Sequence, residues 1–440
     1  MIELLVLIIT LLVNRLKLNS RNSSKPPSRD PNRKKEHKPK GDRKAGGQKG
    51  HEGVTLQKID DPDNIEEIKI DRQTLPRGGK YKGAGYEARQ VFDIVISRVV
   101  TEYRAQILVD SNENQFVASF PKGVTKAVQY GASLKAHSVY MSQYQLIPYK
   151  RIEDYFCEQL QIPVSAGSVY NFNKEAYDLA EPFEVKVKVN LTESALLNVD
   201  ETGININGDG YWLHSTSNGL WTYFFPHKKR GTDAMNAIDI LPQFEGTLCH
   251  DHWKPYYKYD CIHALCNAHH LRELTKVWED EKHQWAKDMR ELLEEICHAV
   301  NNAGGLLTID ESEEYQQKYI LILQNADSEC PPPDATNRKG KRGPVKKTKA
   351  RNLLERLLKY KDDVLRFMDD IIVPFTNNLG ERDIRMTKVQ QKISGCFRSM
   401  QGAKIFCRVR SYLSTCRKQG VKSSEALELL FRGELPEFFF

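Results

Sequence analysis

The chain has 440 residues, of which 40% are hydrophobic and 28% are charged, with a formal net charge of +7. This length predicts two to four domains, each with enough residues for a hydrophobic core. Because the net charge is only mildly basic, the distribution of charge along the chain is more informative than its total. The nine cysteines contain no CxxC pair, which is typical of reduced thiols in a cytoplasmic protein. The N-terminal apolar run of about a dozen residues is too short to span a bilayer and has no basic segment before it, so we expect neither a membrane protein nor a signal peptide.

The first apolar residues follow the spacing of a coiled-coil seam, at Ile2, Leu5, Ile9, Leu12 and Leu16. We predict a short coiled-coil-like helix over residues 1–18, which either packs on its own domain or mediates dimerisation.

A flexible basic arm is predicted over residues 19–53, because Pro and Gly prevent regular structure there and apolar side chains are almost absent. Its dense positive charge, which includes Lys34 and Lys35, favours contacts with DNA phosphates over a plain solvated linker.

Two regions precede the central part of the chain. Residues 54–120 alternate β-like runs, at 65–70 and 89–100, with Gly-rich turns, and predict a small β domain. Residues 121–190 predict helices over 132–144, 151–159 and 168–187, with Ser165 as an N-cap. We interpret residues 121–190 as a helical DNA-binding region, for which a helix-turn-helix is the expected arrangement.

Acidic residues follow two short apolar runs in the central region. Leu197 and Val199 lead to Asp200 and Glu201, and a second run leads to Asp251. Carboxylates that converge from neighbouring strand ends usually hold a divalent cation, and Mg²⁺ prefers oxygen ligands.

The predicted element order is three strands, a helix over 232–241, a strand over 247–250 and a helix over 262–278. This order predicts an α/β fold with a mixed sheet and helices, a ribonuclease H-like catalytic core spanning residues 191–400. Long amphipathic patterns predict a helical insertion at about 279–360, broken by a basic loop that contains Lys346 and Lys347. Residues 401–440 are expected to form a C-terminal helical element.

A third acid begins a predicted helix near Leu379. Glu381 leads a stripe of cations on one helix face, formed by Arg385, Lys388 and Lys392. This pattern suits a metal-binding carboxylate followed by phosphate-binding side chains, although an ordinary ion-pair ladder is the alternative. The residues alone leave Glu201 open as an alternative to Asp200, and Asp383 as an alternative to Glu381.

Histidines and cysteines around Asp251 are further candidates. His250 and His252 flank Asp251 and are expected to orient it, unless they are simple surface histidines. A cluster of five residues could hold zinc, but most of them lie on a predicted helix, so burial is the favoured interpretation: Cys261, His263, Cys266, His269 and His270.

Eight sequence strings, in order over most of the chain, resemble the transposases of the Insertion Sequence 66 family, a branch of the DDE transposases with a ribonuclease H-like core. They include NSSKPPS at 22–28, VDETG at 199–203, HDHWKPYYKYDCIHALCNAHHLREL at 250–274 and NNLGERDIRMTKVQQKISGCFRS at 377–399. The resemblance implies that Asp200, Asp251 and Glu381 are the catalytic, metal-binding acids. The strand face that Glu201 shares with Leu197 and Val199 agrees with this choice, as does the position of residue 383 away from the cation stripe.

The resemblance further implies a DNA transposase that uses two Mg²⁺ or Mn²⁺ ions to cleave element ends and transfer the 3′-hydroxyl strand into target DNA. A catalytically decayed DNA-binding relative and a nuclease without joining activity are the alternatives. The implied partners are double-stranded DNA, further copies of the chain on that DNA, and small accessory proteins of the same element, in the cytoplasm. Relatives carry paired cysteines near residues 75–115, but this chain has no cysteine before Cys157, so we predict no structural zinc in the β domain.

Overall fold

A computed structural model of the chain describes residues 55–333 and 347–440. Within these ranges the chain divides into two compact units, one of residues 55–99 and the other of residues 100–333 and 347–440. The helix predicted at 1–18 and the basic arm at 19–53, with Lys34 and Lys35, lie outside the described residues, as does Lys346. None of the helices in the described ranges is long and apolar enough to cross a membrane.

The strands predicted at 65–70 and 89–100 are not formed, and that prediction was wrong. Within residues 55–99 the regular structure is a 3₁₀ turn at Arg72–Thr74. Ile65 and Ile68 are 80% and 91% exposed, so the alternating pattern has no core to face within this unit, and a strand without a packed face is unstable. A hairpin does form further along the chain, where β1 (Ile107–Val109) pairs antiparallel with β2 (Gln115–Val117).

Helices fill the region from residue 132 to 192. They are α1 (Ala132–Val139), which continues as a π-helical turn at Tyr140–Tyr144, then α2 (Tyr149–Leu160), α3 (Ala166–Leu179) and α4 (Glu181–Thr192). Ser165 is the N-cap of α3, and its side chain accepts a hydrogen bond from the Ser168 N–H, which confirms the predicted cap. The single helix predicted over 168–187 is two helices, because Pro182 begins a new first turn after Ala180.

A five-stranded mixed sheet forms the centre of the larger unit, in the order β5-β4-β3-β6-β7. Strands β3 (Leu196–Ile206), β4 (Asp209–Ser217) and β5 (Thr222–His227) form an antiparallel meander. Its first turn is Asn207-Gly208, where both residues have positive φ (51° and 92°), as the tight hairpin turn requires. Strands β6 (Thr247–His250) and β7 (Ile262–Leu265) continue the sheet in parallel, after helix α5 (Thr232–Ile238). This mixed α/β architecture is compatible with a ribonuclease H-like core.

Two details of the predicted sheet were wrong. Residues 262–265 form strand β7 rather than the start of a helix, because their backbone pairs with β6, from Thr247↔Ile262 to His250↔Leu265. Asp200 lies in the middle of β3 rather than at its end, since β3 continues through the β4 pairing to Ile206.

The remaining helices surround this sheet. In chain order they are α6 (Asn267–Glu281), α7 (Gln284–Asn302), α8 (Ile309–Glu329), α9 (Lys349–Lys359), α10 (Lys361–Leu365), α11 (Asn378–Ser394), α12 (Met400–Lys418) and α13 (Ser423–Arg432). One hydrophobic cluster joins α1–α4, the sheet, α12 and α13, with Phe183, Leu248 and Tyr412 fully buried. A second cluster, which includes Trp285 and Tyr319, joins α6–α10 to β7.

Candidate active site

Three acids from three separate elements lie close enough together, beside the sheet, for their charges to interact. Asp200 lies on β3, Asp251 directly follows β6, and Glu381 lies in the first turn of α11. Because β3 and β6 are parallel neighbours, paired at Leu197↔Leu248, the chain brings Asp251 to the same part of the sheet as Asp200. Burial raises the pKa of Asp200 to about 8, and the negative charges of Glu201, Asp251 and Glu381 add to this effect.

Asn377 connects the helix of Glu381 to the strand of Asp200. This buried N-cap residue of α11 donates from its side-chain amide to the Val199 carbonyl at 2.7 Å, and it accepts from the Asn198 amide at 2.8 Å. Further along the same helix, Lys388 Nζ donates to the Gly203 carbonyl at 2.5 Å. These contacts on both sides of Asp200 along β3 position Glu381 against the strand.

Glu201 occupies a different environment from its neighbour Asp200. Its carboxylate accepts two hydrogen bonds from the Arg230 guanidinium, at 2.9 and 2.6 Å, and one from the Tyr256 hydroxyl at 2.5 Å. Arg230 in turn lies against the rings of Trp212 and Trp253, with its Cζ 4.8 and 4.2 Å from their centroids. The sequence left Glu201 open as an alternative to Asp200, but its carboxylate is already paired with the Arg230 cation.

Asp383, the other open alternative, is also paired. It accepts a hydrogen bond from Lys418 Nζ at 2.6 Å, and its side chain is 10% exposed. Another bond, at 3.3 Å, comes from the Thr222 hydroxyl. Asp383 therefore joins α11 to α12 and β5, on a different side of the helix from Glu381.

His250 and His252 contact the turn that carries Asp251. The His252 N–H donates to His250 Nδ1 at 3.1 Å, and the Trp253 N–H donates to Asp251 Oδ1 at 3.1 Å. His252 has a positive φ of 69°, which makes the turn tight. Burial lowers the pKa of both histidines, to about 4 for His252, so both rings are neutral at pH 7.

The cluster of cysteines and histidines separates into different contacts. His263 Nδ1 lies 3.1 Å from His250 Nε2, and His270 lies 3.0 Å from the Asn267 side-chain oxygen. Cys266 and His269 turn instead toward Glu381, with one potential ligand atom from each of the three residues within 4.8 Å of the others. Burial raises the pKa of the Cys266 thiol to about 11 and lowers that of His269. The sequence signal for this grouping was the i, i+3 spacing of Cys266 and His269.

Comparison with known protein families decides the identity of the larger unit. A family model described as "Transposase IS66 family" matches residues 127–405, which is more than half of the chain. The chain belongs to this family. A second model, of a family of unknown function (DUF6444), matches residues 2–57. A comparison with curated proteins gave no match.

Membership of this family confirms the resemblance seen in the sequence and gives the protein a transposase role. The chain is accordingly a DNA-processing enzyme that binds DNA, and its family suggests the use of a divalent metal. The matched residues include Asp200, Asp251 and Glu381, together with Asn377, which holds the third acid in place.

The cations predicted to contact DNA have different surroundings. Arg385 is exposed on α11, whereas Lys388 donates to the strand as described above, and Lys392 has an interaction partner of its own. Lys347 forms an ion pair with Glu355 on α9. On α11, Arg385 and Lys392 are exposed, whereas Lys388 is partly buried.

Arg356 is a cation near the site that the sequence pattern did not reveal. It projects from α9 of the insertion, pairs with Glu273, and lies close enough to Asp251 for their charges to interact. Its Nε is buried and has no hydrogen-bond partner within the described residues. No periodic signal marks this residue, because its position depends on how the insertion packs on α6.

Proposed function

We propose that this transposase uses Asp200, Asp251 and Glu381 to hold two divalent cations, Mg²⁺ or Mn²⁺. In this proposal it cleaves DNA at the ends of its element and joins the freed 3′-hydroxyl end to target DNA. The observation that carries the proposal is that the carboxylates of Asp200, Asp251 and Glu381 lie close enough for their charges to interact. Burial is the main cause of the raised pKa of Asp200, and repulsion from the neighbouring negative charges adds to it, so a bound cation would relieve both effects.

The residues present fit such an ion. Glu381 Oε1 is buried and lacks a hydrogen-bond partner within the described residues, so this oxygen is available to a ligand. Carboxylate oxygens are the ligands that Mg²⁺ and Mn²⁺ prefer. When bound, divalent ions in such sites lower the pKa of water and polarise the scissile phosphate.

The side chains around the acids would prepare the site for the reaction. Asn377 and Lys388 hold Glu381 against β3, and the His250–His252 turn holds Asp251, so the carboxylates do not have to be ordered during the reaction. Arg356 supplies a positive charge close enough to Asp251 for the two charges to interact, and this charge would help to balance that of a bound DNA phosphate. Neither the positioning of the acids nor the positive charge of Arg356 requires a nucleophilic side chain.

The DNA path is part of the same proposal. Arg385 continues the face of Glu381 along α11, and in this proposal it contacts the DNA backbone. Lys392, the basic arm and the insertion loop would add further contacts with DNA phosphates. The helical region at 121–190 would bind the element ends, and several copies of the chain, with accessory proteins of the element, would assemble on them. Arg385→Ala should therefore weaken DNA binding and reduce its dependence on salt by about one counterion.

The decisive experiment measures metal-dependent cleavage and joining of labelled DNA that carries the element's own ends. Wild-type protein is compared with Asp251→Asn and with Asp209→Asn, which alters an exposed acid at the start of β4. Joined product that is lost in Asp251→Asn and kept in Asp209→Asn would support the proposal. A precut substrate with a free 3′-hydroxyl tests joining separately from cleavage.

Two other outcomes would refute the proposal of cleavage and joining. Cleavage of the ends without joining of the precut substrate would indicate a nuclease. DNA binding without cleavage by the wild-type protein would indicate a relative that has lost its catalytic activity.

A further inference from the structure

A second set of ligand atoms surrounds Glu381, on the side of helix α6. Cys266 is the N-cap residue of α6, and His269 follows in its first turn. One candidate ligand atom from each of Cys266, His269 and Glu381 lies within 4.8 Å of the other two. Ligand atoms around a tetrahedral Zn²⁺ lie roughly 3.5 Å apart, given bonds of about 2.0–2.3 Å, so small side-chain rotations would close this triangle around an ion.

Two of the three groups have polar atoms without a partner. His269 Nδ1 and Glu381 Oε1 are both buried, and neither has a hydrogen-bond partner within the described residues. Buried polar atoms are nearly always paired, so two unpaired atoms of ligand type in one cluster call for an explanation. A bound cation would satisfy both at once.

The third group is held in place by the start of a different helix. Cys266 Sγ accepts a hydrogen bond from the Asn377 N–H at 3.1 Å, so the sulfur lies where the N-termini of α6 and α11 meet. Burial favours the thiol form of Cys266, and the backbone N–H groups at the helix N-termini offset part of that effect, so a bound cation would stabilise the thiolate that it needs as a ligand. Asn377 also binds β3, so its hydrogen bonds connect this sulfur to the strand that carries Asp200.

We propose that Cys266, His269 and Glu381 form a site for a thiophilic divalent cation of the Zn²⁺ class, which joins the N-termini of α6 and α11. Sulfur, imidazole and carboxylate together select Zn²⁺ over Mg²⁺, because Mg²⁺ takes oxygen ligands. Binding replaces the thiol proton, which passes to solvent. The site shares Glu381 with the acids of the proposed function, but it needs neither DNA nor strand cleavage to form.

The test uses the full-length protein, stripped of metal by a chelator and titrated with Co²⁺ as a spectroscopic probe for Zn²⁺. Wild type should show a thiolate-to-cobalt charge-transfer band, and Zn²⁺ should abolish it by displacement while excess Mg²⁺ should not. Cys266→Ser should lose the band, and His269→Gln should lower Zn²⁺ affinity at least about 100-fold, since removing a ligand exceeds the effect of removing its supporting contacts. Cys297→Ser, on α7, is the matched control and should keep the band.

Thermal unfolding gives a second readout. Zn²⁺ should raise the melting temperature of stripped wild type and of Cys297→Ser, but not that of Cys266→Ser or His269→Gln. Absence of the charge-transfer band in wild type, or its persistence in Cys266→Ser, would overturn the proposal.

Asp251→Asn separates this site from the proposed function. It should keep the charge-transfer band while it loses DNA cleavage, so each proposal can fail without the other. Loss of the band in Asp251→Asn, with the fold intact, would place the ion among the three acids instead and refute the assignment to Cys266 and His269.

Discussion

The two faces of strand β3 place neighbouring acids in opposite situations. Glu201 and Asp200 are adjacent and largely buried, and burial raises the pKa of both. On one face, Arg230 and Tyr256 donate three hydrogen bonds to Glu201. On the other, Asp200 faces the acids Asp251 and Glu381, and the hydrogen bond that it accepts within the described residues comes from the Glu201 N–H.

This difference shows how a site can be recognised among buried acids. A complementary cation offsets part of the cost of burying a carboxylate, whereas a buried carboxylate among other carboxylates costs stability that a proton or a bound cation can restore. Burial alone therefore does not distinguish Asp200 from Glu201, because both residues are largely buried. The charge of the side chains that they contact distinguishes them.

The largest effect is expected from Asp200→Asn. DNA cleavage should fall at least about 100-fold, because loss of a metal ligand exceeds the 10–100-fold effect of losing a group that only orients one. The free energy of unfolding at pH 8 should stay unchanged or rise, since the substitution removes a repelling charge. Cleavage assays and urea denaturation measure the two, with Asp209→Asn as the control, and a clear loss of stability would break the comparison.

Asn377→Ala should lower the free energy of unfolding by removing contacts to β3 beside Asp200. It leaves the Val199 carbonyl and the Asn198 amide buried without partners, at a cost of about 2–4 kcal/mol in the free energy of unfolding. Activity should fall as well, because the helix of Glu381 loses one of its two described attachments to β3 and keeps the one from Lys388. Asn378→Ala, at the exposed neighbouring position, should have little effect on urea denaturation, and equal effects of the two changes would contradict the role given to Asn377.

Glu201→Gln should destabilise the opposite face by roughly 1–3 kcal/mol, because charge-assisted hydrogen bonds are lost. The cost stays below that of a fully buried pair, since the Arg230 side chain is 38% exposed and water can solvate it. Tyr256→Phe removes one of the same three hydrogen bonds and should cost less. If neither change alters the denaturation midpoint, Glu201 is not the satisfied acid described here.

The pH dependence of stability should also distinguish the two faces of β3. The pKa of Asp200 in the folded protein, about 8, lies above its ordinary value of 3.8, so the folded state binds the proton more tightly than the unfolded state. The contribution of Asp200 to the stability of chelator-treated protein should therefore be fully present below about pH 4 and fall as pH rises towards 8, by at most about 1.4 kcal/mol per pH unit. Asp200→Asn should flatten that slope and Asp209→Asn should not, as measured by urea denaturation at several pH values.

The elements of the fold were predictable where local chemistry decides them. The cap at Ser165, the three antiparallel strands and the helix after Asn377 follow from side chains close in sequence. Strand β7 was missed because four residues, from Ile262 to Leu265, are too few for a pattern, and their pairing with β6 makes them a strand. The strands expected at 65–70 and 89–100 are not formed for the converse reason. An alternating pattern does not stabilise a strand unless its apolar side chains have a surface to pack on.

For the candidate site, the sequence by itself indicated three acidic positions, with Glu201 and Asp383 left open as alternatives. It also set Asp200 and Glu201 on opposite faces, because a strand alternates its side chains between two faces. Only the tertiary structure decided what each acid meets. Arg230 reaches Glu201 from another part of the chain, and Arg356 reaches the neighbourhood of Asp251 from the insertion. Cys266 and His269 meet Glu381 across more than a hundred residues, because two helices begin at the same place, and no local pattern encodes such a meeting.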